Sequence, residues 1–118
     1  MINKVMAVAR VKSRAKEGGI RLEYTTSGRP VVRCVLVIEE DRSRQGQPQR
    51  SFHWARAWGN AAEAIAKVKE GTLMYIEGRL DTEKVNDQWR TIISVTTARP
   101  FSMAHEEESD IDDFFGAE

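Results

Sequence analysis

Hydrophobic and polar positions change rhythm several times along the chain, and each change marks an element. Ile2 to Val11 is rich in Val, Met and Ala and gives way to the polar stretch Lys12 to Gly18, which predicts a strand ending in a loop. Gly19 to Tyr24 continues as strand. Thr25-Thr26-Ser27-Gly28 then supplies turn chemistry, with Gly28 able to take positive φ, and a hairpin is the expected result. Val31 to Ile38 is β-branched and almost continuously apolar, the pattern of a strand buried on both faces or nearly so. Glu39 to Gln49 contains no apolar residue and holds Gly46 and Pro48, so an exposed loop or a protruding hairpin tip is predicted there.

Arg50 to Trp58 is the most informative stretch, because alternation sorts it onto two unlike faces. One face carries Ser51, His53, Ala55 and Ala57; the other carries Arg50, Phe52, Trp54, Arg56 and Trp58. Small alanines can turn into a tight barrel. A core does not normally hold two arginines among its large aromatics, so the aromatic face is predicted to point outward or into a groove. One helix follows: Asn60 is a plausible N-cap, Ala61, Ile65 and Val68 recur at helical spacing, Glu63 and Lys67 form an i,i+4 pair, and Gly71 sits where a C-cap is expected. Thr72 to Leu80 is a second β-type run, and Gly78 within it suggests a bulge or tight bend. The polar stretch Asp81 to Gln88 leads to an alternating strand from Trp89 to Ala98, which Pro100 ends.

Three strands, a helix and two strands within about 100 residues predict an all-β fold. The expected architecture is a five-stranded OB-fold barrel with one short helix between its third and fourth strands, although a small α+β sandwich shares the strand count. Glycine at bend positions and small inward residues favour the barrel. From about Ala104 there is little apolar content until Ile111, Phe114 and Phe115, so residues 1–102 are expected to form the domain and residues 103–118 a disordered acidic tail.

Composition sharpens this picture by exclusion. A chain of 118 residues has room for one domain and none for a two-domain enzyme with an interdomain cleft. No run approaches the roughly 18 apolar residues of a membrane span, and Met1 to Arg10 lacks a signal-peptide core, so a cytosolic protein without a membrane partner is expected. The single cysteine, Cys34, rules out an intrachain disulfide and falls inside the apolar run, where it reads as core. The net charge of zero conceals two opposed segments. Residues 1–104 hold 18 basic and 11 acidic residues, a balance of +7, whereas residues 105–118 hold 7 acids and neither Lys nor Arg. A basic body joined to an acidic tail suggests a polyanion partner for the body, although a solvated face with a solubility tail meets the same count.

Catalysis finds little support. His53 and His105 have no cysteine or carboxylate at metal-ligand spacing, and phosphate-loop, nucleophile-elbow and zinc-protease motifs are all missing from the sequence, so neither cofactor nor metal is expected. Glu39-Glu40-Asp41 could be imagined as the metal site of a barrel nuclease. Adjacent strand residues point to opposite faces, however, so these three could converge only in an irregular loop. A single-stranded polyanion is better served, because it needs π-surfaces for unpaired bases and cations for phosphates close together. The Arg50 to Trp58 face offers both. Stacking is worth about 1 to 3 kcal/mol per base, a value taken from single-strand-binding proteins themselves, so three rings would contribute on the order of 3 to 9 kcal/mol before ordering costs.

Several segments resemble bacterial single-stranded DNA-binding protein, and they occur in family order across about residues 1 to 100: Met1 to Met6, Leu22 to Gly28, Ala57-Trp58-Gly59-Asn60-Ala61-Ala62-Glu63, Lys69-Glu70-Gly71, and Ile76 to Thr82. The resemblance implies a bacterial, nucleoid-associated homotetramer of OB-folds around which single-stranded DNA wraps without sequence preference. It also implies an acidic C-terminal tip that recruits replication, recombination and repair enzymes. By position, Phe52 and Trp58 match base-stacking aromatics of the family, and His53 matches a subunit-interface position. Two further positions that hold stacking tryptophans in better-known members fall near Asp41 and Val85, so the aromatic set is thinner here, with Trp54 and Trp89 as the compensating rings. Lys4, Arg10, Arg56, Arg79 and Arg90 are the candidate phosphate-pairing cations. The tip reads Asp110, Ile111, Asp112, Asp113, Phe114, Phe115 and then Gly116-Ala117-Glu118, whereas family tips usually end in Pro-Phe. The alternative is an OB-fold adaptor of a primosome or plasmid replication system that binds mainly protein.

Overall fold

The computed structural model describes residues 1–15, 19–40, 46 and 49–101; Asp41 and the tip residues Asp110 to Phe115 lie outside the described residues. Six strands and one helix follow in the order β1 (Val5–Lys12), β2 (Leu22–Tyr24), β3 (Pro30–Glu40), β4 (Gln49–Trp58), α1 (Gly59–Lys67), β5 (Leu73–Val85) and β6 (Gln88–Pro100). The neighbour order β1-β5-β6-β4-β3 closes on itself because β1 also pairs with β3, and β2 hangs on the outside of β3. The barrel is therefore five-stranded, with the helix between its third and fourth strands, as the element order predicts. All pairings are antiparallel except β4 with β6, which run parallel.

Alternation decides what fills the barrel. Ala55 and Ala57 of β4 face inward with Ala9 and Val11 of β1, Val32, Cys34 and Leu36 of β3, Met74 and Ile76 of β5, and Ile93 and Val95 of β6. Helix α1 adds Ala61, Ala62 and Ile65 to the same cluster. Cys34 is buried, as its apolar run suggested, and burial pushes its thiol pKa up to about 12, far from any reactive state. Gly78 sits at a bulge: the ladder steps from Glu77↔Thr97 to Gly78↔Val95, leaving Thr96 as the extra residue. A Cβ at Gly78 would lie 2.3 Å from the Ser94 carbonyl oxygen, so backbone closeness requires glycine there.

Four boundaries differ from the sequence reading, and each has a physical cause. The polar stretch Asp81 to Gln88 is not a linker. β5 runs through it to Val85, Asn86 and Asp87 turn with φ of 50° and 65°, and β6 begins at Gln88. Asn and Asp tolerate the left-handed region that a two-residue hairpin turn requires, and a strand with one face in water and carboxylates on its half-buried face shows no apolar alternation. Likewise β3 extends through Glu39 and Glu40 and pairs with Gln49 and Arg50, which shortens the predicted loop. The helix starts at Gly59, so Asn60 lies inside it, and it ends at Lys67, where Val68 turns extended. Gly71, with φ of 89°, serves a different turn, in which its N–H donates to Val11 O at 2.7 Å and starts the β1–β5 ladder. Finally, Ile2 to Lys4 precede β1; the Asn3 side chain fastens them by donating to Leu80 O and accepting from Leu80 N, both at 2.8 Å. Among the described residues, no helix is long and apolar enough to cross a membrane.

Candidate nucleic-acid interface

Residues directly opposite one another in a ladder share a face, so the register assembles the outer surface around β4. Phe52 is paired with Val37, which is paired in turn with Arg10 on β1; Trp54 is paired with Val35, which is paired with Lys12. Two rows therefore cross three strands, each with a cation at one end, a valine in the middle and an aromatic ring at the other end. Arg33 faces Arg56, and Val31 faces Trp58, which completes the surface towards the helix end of β4. Phe52 is 68% exposed and Trp54 40%, while Ala55 and Ala57 are buried. The aromatic side of β4 thus points outward and the alanines inward, as the alternation predicts. Trp58 is half-buried, with the Arg29 guanidinium 4.7 Å and the Arg56 guanidinium 5.5 Å from its ring centre.

At the Phe52 end, a groove of about 580 Å³ runs between β1, β3 and β4, lined among others by Arg10, Lys12, Arg14, Arg50 and Phe52. Glu39 lies in it and reaches Arg10 at 3.3 Å and Arg50 at 3.8 Å, both in exposed pairs of small energetic weight. Arg10 also donates to Gly71 O at 3.1 Å, which fixes its direction along the groove. Lys12 and Arg14 have no ion-pair partner among the described residues. A cleft this open, with cations on its wall and a phenyl ring at its edge, suits a phosphate and an unpaired base together.

At the Trp54 end the charges are arranged differently. Glu83 on β5 receives a hydrogen bond from Arg33 of β3, another from Arg90 of β6 at 3.2 Å, and has Arg56 of β4 at 3.6 Å. Asp81, two residues away on the same strand face, lies 3.9 Å from Arg56. The Arg90 guanidinium also lies over the Trp54 ring, 4.2 Å from its centre. Burial alone would raise the Glu83 pKa, but the hydrogen bond from Arg90 and the charge of Arg33 outweigh it and hold the carboxyl below its ordinary range. Two of the predicted phosphate partners, Arg56 and Arg90, are thereby engaged with carboxylates of the protein itself.

The remaining predicted residues are spread further apart. Trp89 is paired with Lys84 on the β5–β6 arm, on the opposite face from Glu83 and Arg90, so it does not join Phe52, Trp54 and Trp58. Arg79 is exposed on the same β5 face as Asp81 and Glu83, and Lys4 is exposed just before β1. His53 is half-buried on the inward-alternating side of β4, with Nε2 2.9 Å from Ser51 Oγ. Glu39 and Glu40 occupy successive positions at the end of β3, so their side chains diverge, and no group of three potential metal ligands occurs among the described residues. Sequence reasoning missed Lys12, Arg14, Arg33 and Glu83. Arg33 had a signal: it is the one charged residue inside the apolar run Val31 to Ile38, where alternation turns it outward. Glu83 had only a partial one, because Arg90 lies opposite it across the Asn86-Asp87 turn whereas Arg33 and Arg56 come from strands distant in sequence.

Similarity to known proteins agrees with this geometry. The chain is 32% identical over 90 residues to single-stranded DNA-binding protein 1 of Chlorobaculum tepidum, which covers 73% of this chain and 52% of that protein. Across the curated relatives it matches, it spans 24% to 58% of their length. Its fold superposes on the single-stranded DNA binding protein of Thermus aquaticus, studied as a deletion mutant, with a TM-score of 0.63 at 20% identity over 84% of this chain and 50% of that one. The PriB protein of Ralstonia solanacearum superposes equally well, with a TM-score of 0.63 at 19% identity over 85% of this chain and 99% of that one. With the barrel, its outward aromatic face and a match extending over residues 2–108, the chain belongs to the single-strand binding protein family.

Proposed function

We propose that this chain binds single-stranded DNA without sequence preference and shields it during replication, recombination and repair. The observation that carries the reading is the outward face of β4, where Phe52 and Trp54 are open to solvent beside cation-bearing rows from β1. Stacking on a ring accepts any base, since every base has a π-face, so this surface offers affinity without sequence readout. Phe52, Trp54 and Trp58 stack bases in this reading; Arg10, with Lys12 and Arg14, takes phosphates along the groove, and Lys4 and Arg79 extend the path. Trp89, on the far face of the β5–β6 arm, would meet a strand only where it wraps around that arm. Residues 1–102 act as the binding domain and residues 103–118 as a separate acidic segment. That segment recruits partner enzymes through Asp110 to Phe115. His53 belongs to a subunit contact of a homotetramer.

A second reading has one specific observation in its favour. Arg56 and Arg90 are already paired with Glu83 and Asp81, and the fold is as close to PriB as to a DNA-binding relative, so the barrel could serve as an adaptor that binds mainly protein. Titrating tryptophan fluorescence with an oligo-dT decides between them. Saturable quenching that weakens with salt, and an affinity lowered in Phe52→Ala by about 5- to 150-fold, corresponding to about 1 to 3 kcal/mol for one stacked base, is the expected outcome. Quenching that is absent or does not saturate would favour the adaptor.

A further inference from the structure

The Trp54 end of the face holds an arrangement that simple polyanion binding does not call for: a carboxylate at the centre of three guanidiniums. The Glu83 side chain is only 12% exposed, and Arg33, Arg56 and Arg90 approach it from β3, β4 and β6. Those three side chains are 37%, 21% and 28% exposed, so water screens the cluster weakly compared with the open Arg10–Glu39–Arg50 pairs at the other end. The Nε atoms of Arg56 and Arg90 are buried without a hydrogen-bond partner, so both guanidiniums are turned so that their terminal nitrogens serve the carboxylates. Arg90 is held over the Trp54 ring in the process.

We propose that Glu83 is an internal counter-anion of the DNA-binding face, occupying the place of a phosphate between Arg33, Arg56 and Arg90 and withholding those cations from the nucleic acid. This rests on the reading of the face given above, and it divides that face into two halves. The Phe52 half, with Lys12 and Arg14 unpaired among the described residues, binds by charge and stacking. The Trp54 half binds by stacking alone, with Arg90 backing the indole and the base taking its outer side. Asp81, 3.9 Å from Arg56 and more exposed, assists from the rim. A strand bound here would release fewer counterions than the number of arginines on the face suggests, and so would depend less steeply on salt.

Replacing Glu83 by glutamine keeps its shape and removes its charge. In the full chain, Glu83→Gln is expected to bind oligo-dT several-fold more tightly than wild type at low salt. The slope of log K against log salt should steepen by about 0.7 for each additional phosphate engaged. Without DNA its melting temperature should fall, because three guanidiniums lose their partner, and oligo-dT should raise that temperature more than it does for wild type. A purely structural Glu83 would move only the first of these temperatures. Unchanged or weaker binding by folded Glu83→Gln, or an unchanged slope, overturns the proposal. Should Glu83→Gln not fold, Asp81→Asn decides: its site is open enough to tolerate the change, tighter binding of smaller size supports the counter-anion, and no gain rejects it. Wild-type protein that ignores oligo-dT at every salt concentration would instead defeat the reading of the face itself, and the counter-anion with it.

Discussion

Glu83 also governs how a single residue ties stability to pH. Its carboxyl is harder to protonate in the folded chain than in the unfolded one, because Arg90 and Arg33 favour the charged form more than burial opposes it. A depressed folded pKa contributes stability that is complete above the ordinary glutamate range, about 4.3, and disappears as pH falls through the lower folded value. Arg33, Arg56 and Arg90 face Glu83 from three strands, and Asp81 lies beside Arg56 at the rim of the cluster. Wild type should therefore melt above Glu83→Gln at pH 7, with the gap closing as the pH falls through and below the ordinary glutamate range. A gap that stays constant across that series of thermal melts would show that the charge of Glu83 is not what stabilises the cluster. At this scale the sequence was legible wherever alternation could act. It turned Phe52 and Trp54 outward and Ala55 and Ala57 inward, but it could not reveal that Arg56 and Arg90 are engaged: Glu83 meets Arg56 only through the barrel, and it meets Arg90 across a hairpin that the polar stretch concealed.

At the scale of elements, the β5–β6 arm is the instructive case. Its inner half is bent by the bulge at Gly78, where the backbone of β6 comes so close that a methyl group would collide with Ser94. The obstacle is backbone, which cannot rotate away as a side chain could. Gly78→Ala should thus destabilise the domain by about 1 to 3 kcal/mol, the range for overpacking a close-fitted site, and lower its thermal midpoint by several degrees. A denaturation curve matching wild type would mean that the strands separate at no cost. The glycine was readable as a bend from its place in an apolar run. The outer half of the arm was not readable as strand, because Asp81 to Val85 puts one face in water and places Asp81 and Glu83 on the half-buried face, and so lacks the period-two hydrophobic signal on which a strand is recognised. Only Asn86-Asp87, with its tolerance of positive φ, marked the turn. The helix boundaries slipped for a related reason: pairing of Gly71 and Thr72 with Val11 claims the residues that local capping rules would have given to the helix.

Across the whole molecule, charge is arranged by segment, so the acidic C-terminal segment and DNA are expected to compete for one basic surface. Residues 1–104 carry a balance of +7 and residues 105–118 carry seven acids without a base. Arg10, Lys12 and Arg14 at the open groove are the natural target for any nearby polyanion, whether a DNA phosphate or a carboxylate of this same chain. Tethering raises the effective concentration of the acidic segment at that groove far above that of free DNA in dilute solution. On this expectation DNA would have to displace it, at a cost that is greatest when screening is weakest. A variant ending at residue 104 should bind oligo-dT more tightly than the full chain at about 10 mM salt, where charges interact over roughly 30 Å. The two should converge near 1 M, where that distance shrinks to roughly 3 Å. Because the counter-anion Glu83 sits on the barrel and remains after truncation, combining the truncation with Glu83→Gln should give additive gains in log K, as expected for sites that do not share partners. Equal affinities for truncated and full-length chains at low salt would show that the acidic segment does not reach the groove, and non-additive gains would show that it acts through the Glu83 cluster instead.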